Sequence, residues 1–214
     1  MSRVLTILLC AVLASTAQGA LVTFEDVTPD SFDVIPDGYH GLVWSNLWVI
    51  DPQADDNELP PANGYRNGLV SGRYVGYNAF GNPAEIFGAC FDFTSAWLTG
   101  AWYNDLQVQV DGYLGDVLQY SLTVIVQATG PQLFTFDYRG IDRLVLTSSE
   151  GMDAGYDGGG QMFVMDNPVV LLDDAHGVPA PAAFWLGMGL MGAVVALRLR
   201  RITRRDRAEV FVRE

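Results

Sequence analysis

Short apolar runs separated by turn residues fill the middle of this 214-residue chain and constrain its fold more than any other feature. Between Leu21 and Val170 no segment keeps the 3.6-residue apolar period of an amphipathic helix. The run Val117–Val126 is rich in β-branched and aromatic residues, and residues 107–110 alternate polar with apolar side chains. Such runs recur at a spacing of about eight to twelve residues, which predicts roughly ten short strands.

Glycine, asparagine, aspartate and proline separate these runs and predict the turns between strands. Pro36-Asp37-Gly38, Asn63-Gly64 and Gly115-Asp116 are typical turn sequences, and residues 113–117 predict a tight hairpin between two long strands. Because many short strands follow one another without helices, we expect an all-β fold, a single β-sandwich of jelly-roll type. The polar segment 51–67 predicts one long exposed loop.

The expected domain is strongly acidic. Residues 21–178 contain 22 Asp and Glu against four Arg, an acidic excess of 18, and the chain has no lysine. Such a surface repels nucleic-acid phosphates, which require a basic footprint, so we expect no nucleic-acid partner. It attracts divalent cations. Cys90 is the single cysteine of this part of the sequence, so its stability depends on a core or on ions rather than on an internal disulfide.

The N-terminus has the three parts of a signal peptide. Arg3 supplies the positive charge, residues 4–13 form an apolar stretch too short to span a bilayer, and Ala17-Gln18-Gly19 offers small residues at a cleavage site. We therefore expect residues 1–19 to be a signal peptide that directs export across the inner membrane. Residues 20–172 then form the β-sandwich ectodomain.

A second apolar stretch, residues 182–197, lies near the C-terminus. It has no polar face, and with the preceding prolines it is just long enough for a membrane helix of about 20 residues. The arginine cluster beyond it includes Arg198, Arg200 and Arg201. Positive clusters of this kind stay in the cytoplasm, so we expect the preceding domain outside. Residues 173–177 form a linker, and residues 178–214 form a tail with a transmembrane helix and an Arg-rich cytoplasmic end.

The order of motifs in this tail is specific. Val178 and Pro179, then Pro181, precede the apolar stretch, which contains Trp185, and the arginines follow. The tail resembles the PEP-CTERM sorting signal, which an exosortase handles in Gram-negative bacteria. The resemblance implies an exosortase-type sorting protease as a partner, transient anchoring in the membrane, and a final location at the cell surface or outside the cell. Ala180 stands where the family usually has Glu, and a plain membrane anchor is the alternative.

Short segments inside the expected domain carry a second resemblance. Residues 35–39, 41–46, 91–93, 98–102 and 163–167 resemble a recurring ectodomain that is attached to PEP-CTERM tails. Its layout is similar to that of the galactose-binding-like sandwiches that serve as carbohydrate-binding modules. The resemblance implies a sandwich fold and carries no assigned activity.

Acidic residues at two strand ends form the candidate metal site. Glu25 and Asp26 end the first expected strand, and Asp166 lies at the end of the last. The first and last strands of jelly-roll sandwiches are commonly neighbours, so these carboxylates would meet and repel one another unless a cation lies among them. Calcium takes about six to eight oxygen ligands and suits such a set, and similar modules often hold a structural calcium at this kind of position. The alternative is a group of solvated strand-end acids.

Aromatic side chains are the candidate ligand-binding groups, because their faces stack on sugar rings. Most aromatic residues fill sandwich cores. Tyr65 and Tyr156 lie in expected loops and are therefore the better exposed candidates for contact with an extracellular polysaccharide.

The sequence lacks the usual motifs of catalysis. His40 and His176 are its only histidines, and it has no Gly-x-Ser-x-Gly or His-Glu-x-x-His motif. We therefore expect a non-catalytic protein with a structural or interaction role in the envelope or extracellular matrix. A secreted carbohydrate-binding module is the first alternative. A surface glycoside hydrolase is the second, because its carboxylate pair leaves no spacing signature in a sequence.

Overall fold

Antiparallel strands account for most of the structure. The computed structural model describes residues 20–27, 31–55 and 58–172. The strands are β1 (Ala20–Leu21), β2 (Phe32–Val34), β3 (Leu42–Ser45), β4 (Leu47–Ile50), β5 (Val75–Asn78), β6 (Ala84–Gly100), β7 (Tyr103–Leu114), β8 (Val117–Val126), β9 (Gln132–Asp153) and β10 (Phe163–Leu172). Two 3-10 turns, Tyr39–Gly41 and Ala79–Gly81, and one short helix, α1 (Gly64–Asn67), complete the described elements. The prediction of an all-β fold is confirmed.

Two long strands, β6 and β9, fold the sheet into the two layers of a sandwich. In the first layer the order is β2–β4–β5–β10, followed by residues 91–98 of β6 and 132–141 of β9. In the second layer β3 pairs with residues 85–88 of β6, and residues 143–153 of β9 continue to β7 and β8. The β6–β9 register shifts between Phe87 and Phe91, where both strands pass from one layer to the other. Bulges of this kind let a strand bend at the corner of a sandwich.

Large apolar side chains fill the space between the layers. The largest of those that are fully buried are Phe24, Phe91, Phe93, Phe163, Leu42, Leu47, Ile86, Leu98, Leu106, Ile141, Leu144 and Leu146. Every buried member of this core lies between Val22 and Val170, and the described residues belong to one compact unit that ends at Asp173. Residues 20–173 therefore contain the complete core, and we expect them to fold on their own.

Asn46 turns the chain from one layer to the other. The apolar residues from Leu42 to Ile50 are divided between two strands, because β3 pairs with β6 and β4 pairs with β5. Asn46 has a left-handed φ of 54°, which asparagine tolerates better than most residues. Its side-chain amide donates to the carbonyl oxygens of Ala79, Asn82 and Pro83 at 3.1–3.2 Å. These bonds fix the break between the two strands.

A second, smaller apolar cluster lies on the outer face of the first layer. Its buried members are Ile50, Tyr65, Val75, Ala101, Trp102 and Val164. The segment that follows β4 covers this cluster, and α1 begins within it after Asn63, whose side chain accepts from the backbone N–H of Arg66 at 2.9 Å. The prediction of a long exposed loop over 51–67 is therefore wrong in part. Leu59 and Tyr65 give this polar segment an apolar side, and that side packs on the sheet.

The two ends of the described chain meet in the first layer. β1 pairs antiparallel with β10, with Ala20 opposite Val170, so the expected pairing of the first and last strands is confirmed. The signal peptide expected at 1–19 and the linker and sorting tail expected at 173–214 lie outside the described residues. Within the described part of the chain, no helix is long and apolar enough to cross a membrane.

Candidate functional site

Three neighbouring strands place apolar and aromatic side chains on the outer face of the first layer. In β4, Leu47 and Val49 point into the core, so the period-two alternation of a strand turns Trp48 outward. Trp48 lies opposite Tyr77 of β5 on one side and opposite Val34 of β2 on the other. Phe32 is the other outward residue of β2 and pairs with Ile50. The sheet therefore carries a continuous row of large side chains that is not part of the main core.

These side chains line a cleft of about 460 Å³. Its lining residues are Phe32, Trp48, Ile50, Leu59, Tyr65, Tyr77, Ala79, Phe80 and Met162. Ile50 and Tyr65 are buried and form its floor, whereas Phe32 and Phe80 are exposed and form its rim. The volume falls within the range of roughly 300–1,000 Å³ that is common for small-molecule sites.

The aromatic rings of the rim are in contact with one another. The rings of Phe32 and Trp48 are stacked, with centroids 6.0 Å apart and planes at 22°. Phe80 meets Trp48 edge to face at 5.8 Å. Contacts of these two geometries are favourable for aromatic pairs and fix the positions of the rings before any ligand arrives. The three rings thus form a preorganised apolar surface.

Phe80 is the most unusual residue of the cleft. It lies in the 3-10 turn after β5 and is 77% exposed. Its backbone has a φ of 59°, in the left-handed region that a bulky residue adopts only at a cost of roughly 1–2 kcal/mol. A residue that is strained and also exposed contributes little to the stability of the fold. Among the described non-glycine residues with a positive φ, Phe80 is the one that exposes a large apolar side chain at the rim of the cleft.

The cleft is uncharged. None of its described lining residues is acidic or basic. Burial raises the pKa of Tyr77 to about 12, and burial together with the neighbouring Tyr77 raises the pKa of Tyr65 further. Both phenols therefore stay protonated and neutral at physiological pH, and a phenol hydroxyl can donate or accept a hydrogen bond. The site suits a ligand with apolar faces and neutral polar groups.

The two tyrosines expected to bind a ligand are less exposed than the sequence suggested. Tyr65 is only 4% exposed, because its ring packs edge to face against Tyr77 at 5.3 Å and Trp102 at 5.5 Å. The expectation that Tyr65 is exposed is wrong, although the ring lines the floor of the cleft. Tyr156 is half-buried, and its hydroxyl accepts from the Asn67 amide at 3.0 Å and donates to the Ala128 carbonyl at 3.3 Å. It does not line the cleft.

The three acidic residues of the candidate metal site do not point to one centre. The Glu25 carboxylate accepts from the backbone N–H groups of Arg73 and Tyr74 at 2.8 and 3.0 Å. Asp166 accepts from the backbone N–H groups of Val70 and Ser71 at 2.8 and 3.1 Å. These two acids hold the loop 70–74, and we call this arrangement the carboxylate clamp.

Asp26 lies outside the carboxylate clamp. Its carboxylate accepts from the Tyr39 hydroxyl at 2.5 Å. Burial is the largest cause of the raised pKa of Tyr39, and the bond to Asp26 adds to it. Asp26 thus has a neutral partner of its own, at a turn beside the core residue Phe24.

Electrostatics within the carboxylate clamp are unfavourable for a second negative charge. Asp166 is fully buried, and burial raises its pKa, although the N–H donors of Val70, Ser71 and Asn167 oppose the rise. The charge of Glu25 raises it further. Both oxygens of Asp166 already accept hydrogen bonds from backbone N–H groups. A cation cannot occupy the positions of these donors. Among the described residues no group of three or more His, Cys, Asp or Glu is arranged to hold a metal. Calcium at Glu25, Asp26 and Asp166 stays a prediction of the sequence.

The residues that form the rim of the cleft were missed by the sequence analysis. Trp48 could have been found, because Leu47 and Val49 alternate with Trp48 and Ile50. Phe80 also left a signal, since it lies among the turn formers Asn78, Gly81 and Asn82 rather than in an apolar run. Phe32 left none, because β2 has only three residues.

Solved carbohydrate-binding modules are among the structures similar to this chain. TmCBM61 in complex with β-1,4-galactotriose has a TM-score of 0.33 and 13% identity, over 64% of this chain and 95% of that module. The CBM22 tandem domain of Paenibacillus barcinonensis Xyn10C has a TM-score of 0.38 and 13% identity, over 78% of this chain and 50% of the tandem. A family 16 module has a TM-score of 0.28 and 17% identity, over 55% of this chain and 89% of the module. No protein-family model and no curated protein matches the sequence.

Proposed function

We propose that this domain binds a neutral glycan chain in the aromatic cleft. Phe32, Trp48 and Phe80 stack on the apolar faces of sugar rings, and the neutral hydroxyls of the cleft tyrosines bond to sugar hydroxyls. The observation that carries the proposal is Phe80, which the fold holds in a strained backbone conformation with its ring at the open rim. Interfaces draw much of their binding energy from a few aromatic residues placed in this way.

The charge of the domain favours a neutral ligand over an anionic one. Residues 21–178 carry an acidic excess of 18, and no lysine balances it. A polysaccharide of uronic acids would meet this field as a like charge, which slows association and weakens binding. A neutral chain meets no such barrier. The described lining residues of the cleft carry no charge that would attract an ionic ligand.

We propose that the domain acts by binding rather than by catalysis. A glycosidase needs two carboxyl groups beside the scissile bond, about 5–10 Å apart. The described lining residues of the cleft include neither Asp nor Glu, which supports a binding role. The hydrolase alternative makes a clear prediction, because a hydrolase would release new reducing ends from the polysaccharide that it binds.

Export and sorting complete the proposal. The signal-peptide pattern at 1–19 and the PEP-CTERM-like tail at 178–214 support delivery to the cell surface through transient anchoring and an exosortase-type protease. A glycan-binding domain in that location attaches the protein to extracellular polysaccharide. Mass spectrometry of the mature protein tests this step, since sorting predicts a C-terminus near Pro179 and Pro181, whereas a plain anchor retains residues up to Glu214.

Affinity electrophoresis tests glycan binding. Residues 20–173 are run through gels that contain xylan, β-1,4-galactan, mannan or β-glucan, and through gels with alginate or polygalacturonate. We expect retardation by at least one neutral polysaccharide and none by the two anionic ones. The Phe80→Ala and Trp48→Ala variants should lose the retardation. Phe87→Ala is the matched control, because Phe87 is an exposed phenylalanine of β6 in the second layer.

Two results would overturn the proposal. The first is a wild-type domain that no neutral polysaccharide retards. The second is equal retardation of the wild type and both cleft variants, since binding would then occur elsewhere. Either result would favour the alternative, a structural role in the envelope or matrix without a glycan ligand.

A further inference from the structure

Strand β8 is the last strand of the sheet and one of its edges is open. It pairs with β7 from Leu114 opposite Val117 to Leu106 opposite Val126. No described residue pairs with its other edge. An open edge presents a row of unpaired backbone N–H and C=O groups, which is a template for another strand.

The usual protections of an open edge are missing from β8. Its ten residues include no charged residue, no proline and no glycine. The other strands of ten or more residues, β6, β7, β9 and β10, each contain at least one acidic residue. The edge at the opposite end of the strand order, β2, has only three residues and contains Asp33. Short edges and charged edges resist strand pairing, and β8 is neither.

Apolar side chains of β8 are also exposed. Val117, Leu118, Leu122 and Ile125 are between 42% and 62% exposed. Leu122 lies opposite Val110, and Val124 lies opposite Val108, so the even-numbered residues from Tyr120 to Val126 continue the face of the main core. A register shift places Leu118 opposite Tyr113 instead, so the core at this end of the second layer reaches solvent through Leu122.

We propose that β8 pairs antiparallel with β8 of a second copy of this chain. When Leu122 lies on the two-fold axis, Tyr120 faces Val124 of the other copy. On the opposite face Ser121 meets Thr123. Each large inward side chain thus meets an apolar partner, and no charge lies opposite another.

Two acidic copies of this chain meet with the least repulsion at this edge. Two copies of a domain with an acidic excess of 18 repel each other over most of their surface. Strand β8 is a long surface element without a charge, so repulsion there is lowest. A two-fold pairing also uses both open edges and closes, whereas a head-to-tail contact would continue into a filament.

Pairing through β8 is independent of glycan binding. The cleft is built on β2, β4 and β5 of the first layer, and β8 lies at the other end of the strand order. Pairing therefore leaves the cleft open, and a dimer carries two clefts. Two linked sites on one polysaccharide bind more tightly than one, without any new contact to the sugar.

Sedimentation velocity of residues 20–173 tests the pairing. We expect the wild type to pass from monomer to dimer between micromolar and millimolar concentration and to form no larger species. Leu122→Lys places like charges at the axis and should weaken the dimer at least about tenfold. Met152→Lys is the matched control, because Met152 is 62% exposed on β9, two strands away. It should dimerise as the wild type does.

A second variant and a crosslinking scan keep the test decisive if Leu122→Lys unfolds. Thr123→Lys changes an exposed outward residue of the same edge and should weaken the dimer in the same direction. Single cysteines at positions 120–124, with Cys90 replaced by Ser, should crosslink best at one position and less on both sides of it. A wild type that stays monomeric throughout would overturn the proposal. So would equal dimerisation of the wild type and both β8 variants, or an even crosslinking pattern.

Discussion

The carboxylate clamp and the aromatic cleft reverse the usual placement of polar and apolar groups. Asp166 is fully buried and accepts backbone N–H groups from Val70, Ser71 and Asn167. Phe32 and Phe80 are more than half exposed. The clamp places a carboxyl group in the interior, and the cleft leaves apolar rings in contact with solvent. Both arrangements cost stability. In the clamp, hydrogen bonds from backbone N–H groups offset this cost.

The difference teaches which residues serve the scaffold and which serve recognition. A buried acid is retained where its oxygens have donors, as both oxygens of Asp166 do, and four of the N–H donors of the clamp come from the loop 70–74. The Cβ of any residue other than glycine at position 72 would lie 2.2 Å from a Glu25 oxygen, so this loop fits closely around the acid. The rings of Phe32 and Phe80 each contact Trp48 but leave more than half of their surface in solvent. We therefore assign the clamp to stability and propose that the cleft serves binding.

The largest expected effect is on the clamp. Asp166→Ala leaves three backbone N–H groups without their acceptor and should lower the free energy of unfolding by about 3 kcal/mol or more. Urea denaturation of residues 20–173 measures this. Asp33→Ala is the control, because Asp33 is exposed on β2 and bonds only its neighbour's N–H, so its loss should cost less than about 0.5 kcal/mol. Equal losses of stability in the two variants would contradict a stabilising role for the clamp.

The next effect is on the cleft. Trp48 contacts both rings of the rim, so Trp48→Ala should weaken binding of the retained polysaccharide by about 2 kcal/mol, or roughly 30-fold. Isothermal titration with an oligosaccharide of that polysaccharide measures the change. Asp166→Asn should alter stability but leave the affinity of the folded protein unchanged. If the clamp variant loses affinity to the same extent, the division between scaffold and recognition fails.

The fold could be predicted from the sequence further than the site. Alternation in 107–110 and the turn at Gly115 gave the hairpin of β7 and β8, and Gly115 has the expected positive φ of 57°. The break at Asn46 could not be seen, because the apolar residues on its two sides read as one strand. It depends on bonds from Asn46 to a turn more than 30 residues away.

The cleft escaped prediction for a related reason. Most of its residues come from β2, β4, β5 and the turn after β5, and strand register brings these together, whereas Leu59, Tyr65 and Met162 reach the cleft from other segments. Tyr65 was expected to be exposed because it lies in an expected loop, but it belongs to α1 and its ring packs on the sheet. The sequence placed Glu25 and Asp166 at strand ends, which is wrong for Asp166, because β10 continues to Leu172. Most of the N–H donors of the two acids lie in the loop 70–74, which has no sequence motif.

A smaller effect separates strain from contact at Phe80. Phe80→Gly should be more stable than Phe80→Ala by about 1 kcal/mol, because glycine adopts the left-handed conformation without the steric cost of a Cβ. Both variants should lose glycan affinity to a similar extent, since both lack the ring. Urea denaturation and titration of the two variants check this. A Phe80→Gly variant that binds as the wild type does would contradict a role for the ring.

The smallest effect is on the pH dependence of stability. Because the pKa of Asp166 is raised above its ordinary value of 3.8, the folded state holds this proton more tightly than the unfolded state does. The contribution of Asp166 to stability should therefore fall as pH rises from about 4 through the raised pKa. The difference between the wild type and Asp166→Asn isolates this slope.

The same pH series also tests whether calcium binds at the clamp. A bound cation would favour the ionised form of Asp166 and reverse the slope, and it would raise the melting temperature of the wild type. Repeating the pH series with calcium and with a chelator therefore tests the calcium prediction at the clamp. Identical curves under both conditions would leave the clamp to its backbone N–H donors.

The central claim is that a glycan lies against Trp48 in the cleft. The most direct measurement is a ¹⁵N correlation spectrum of residues 20–173 during titration with an oligosaccharide of the retained polysaccharide. We predict that the indole N–H signal of Trp48 shifts most among the tryptophans, and that the signal of the core residue Trp44 stays in place. Shifts confined to the second layer, or no shift of the Trp48 signal at saturation, would contradict the account.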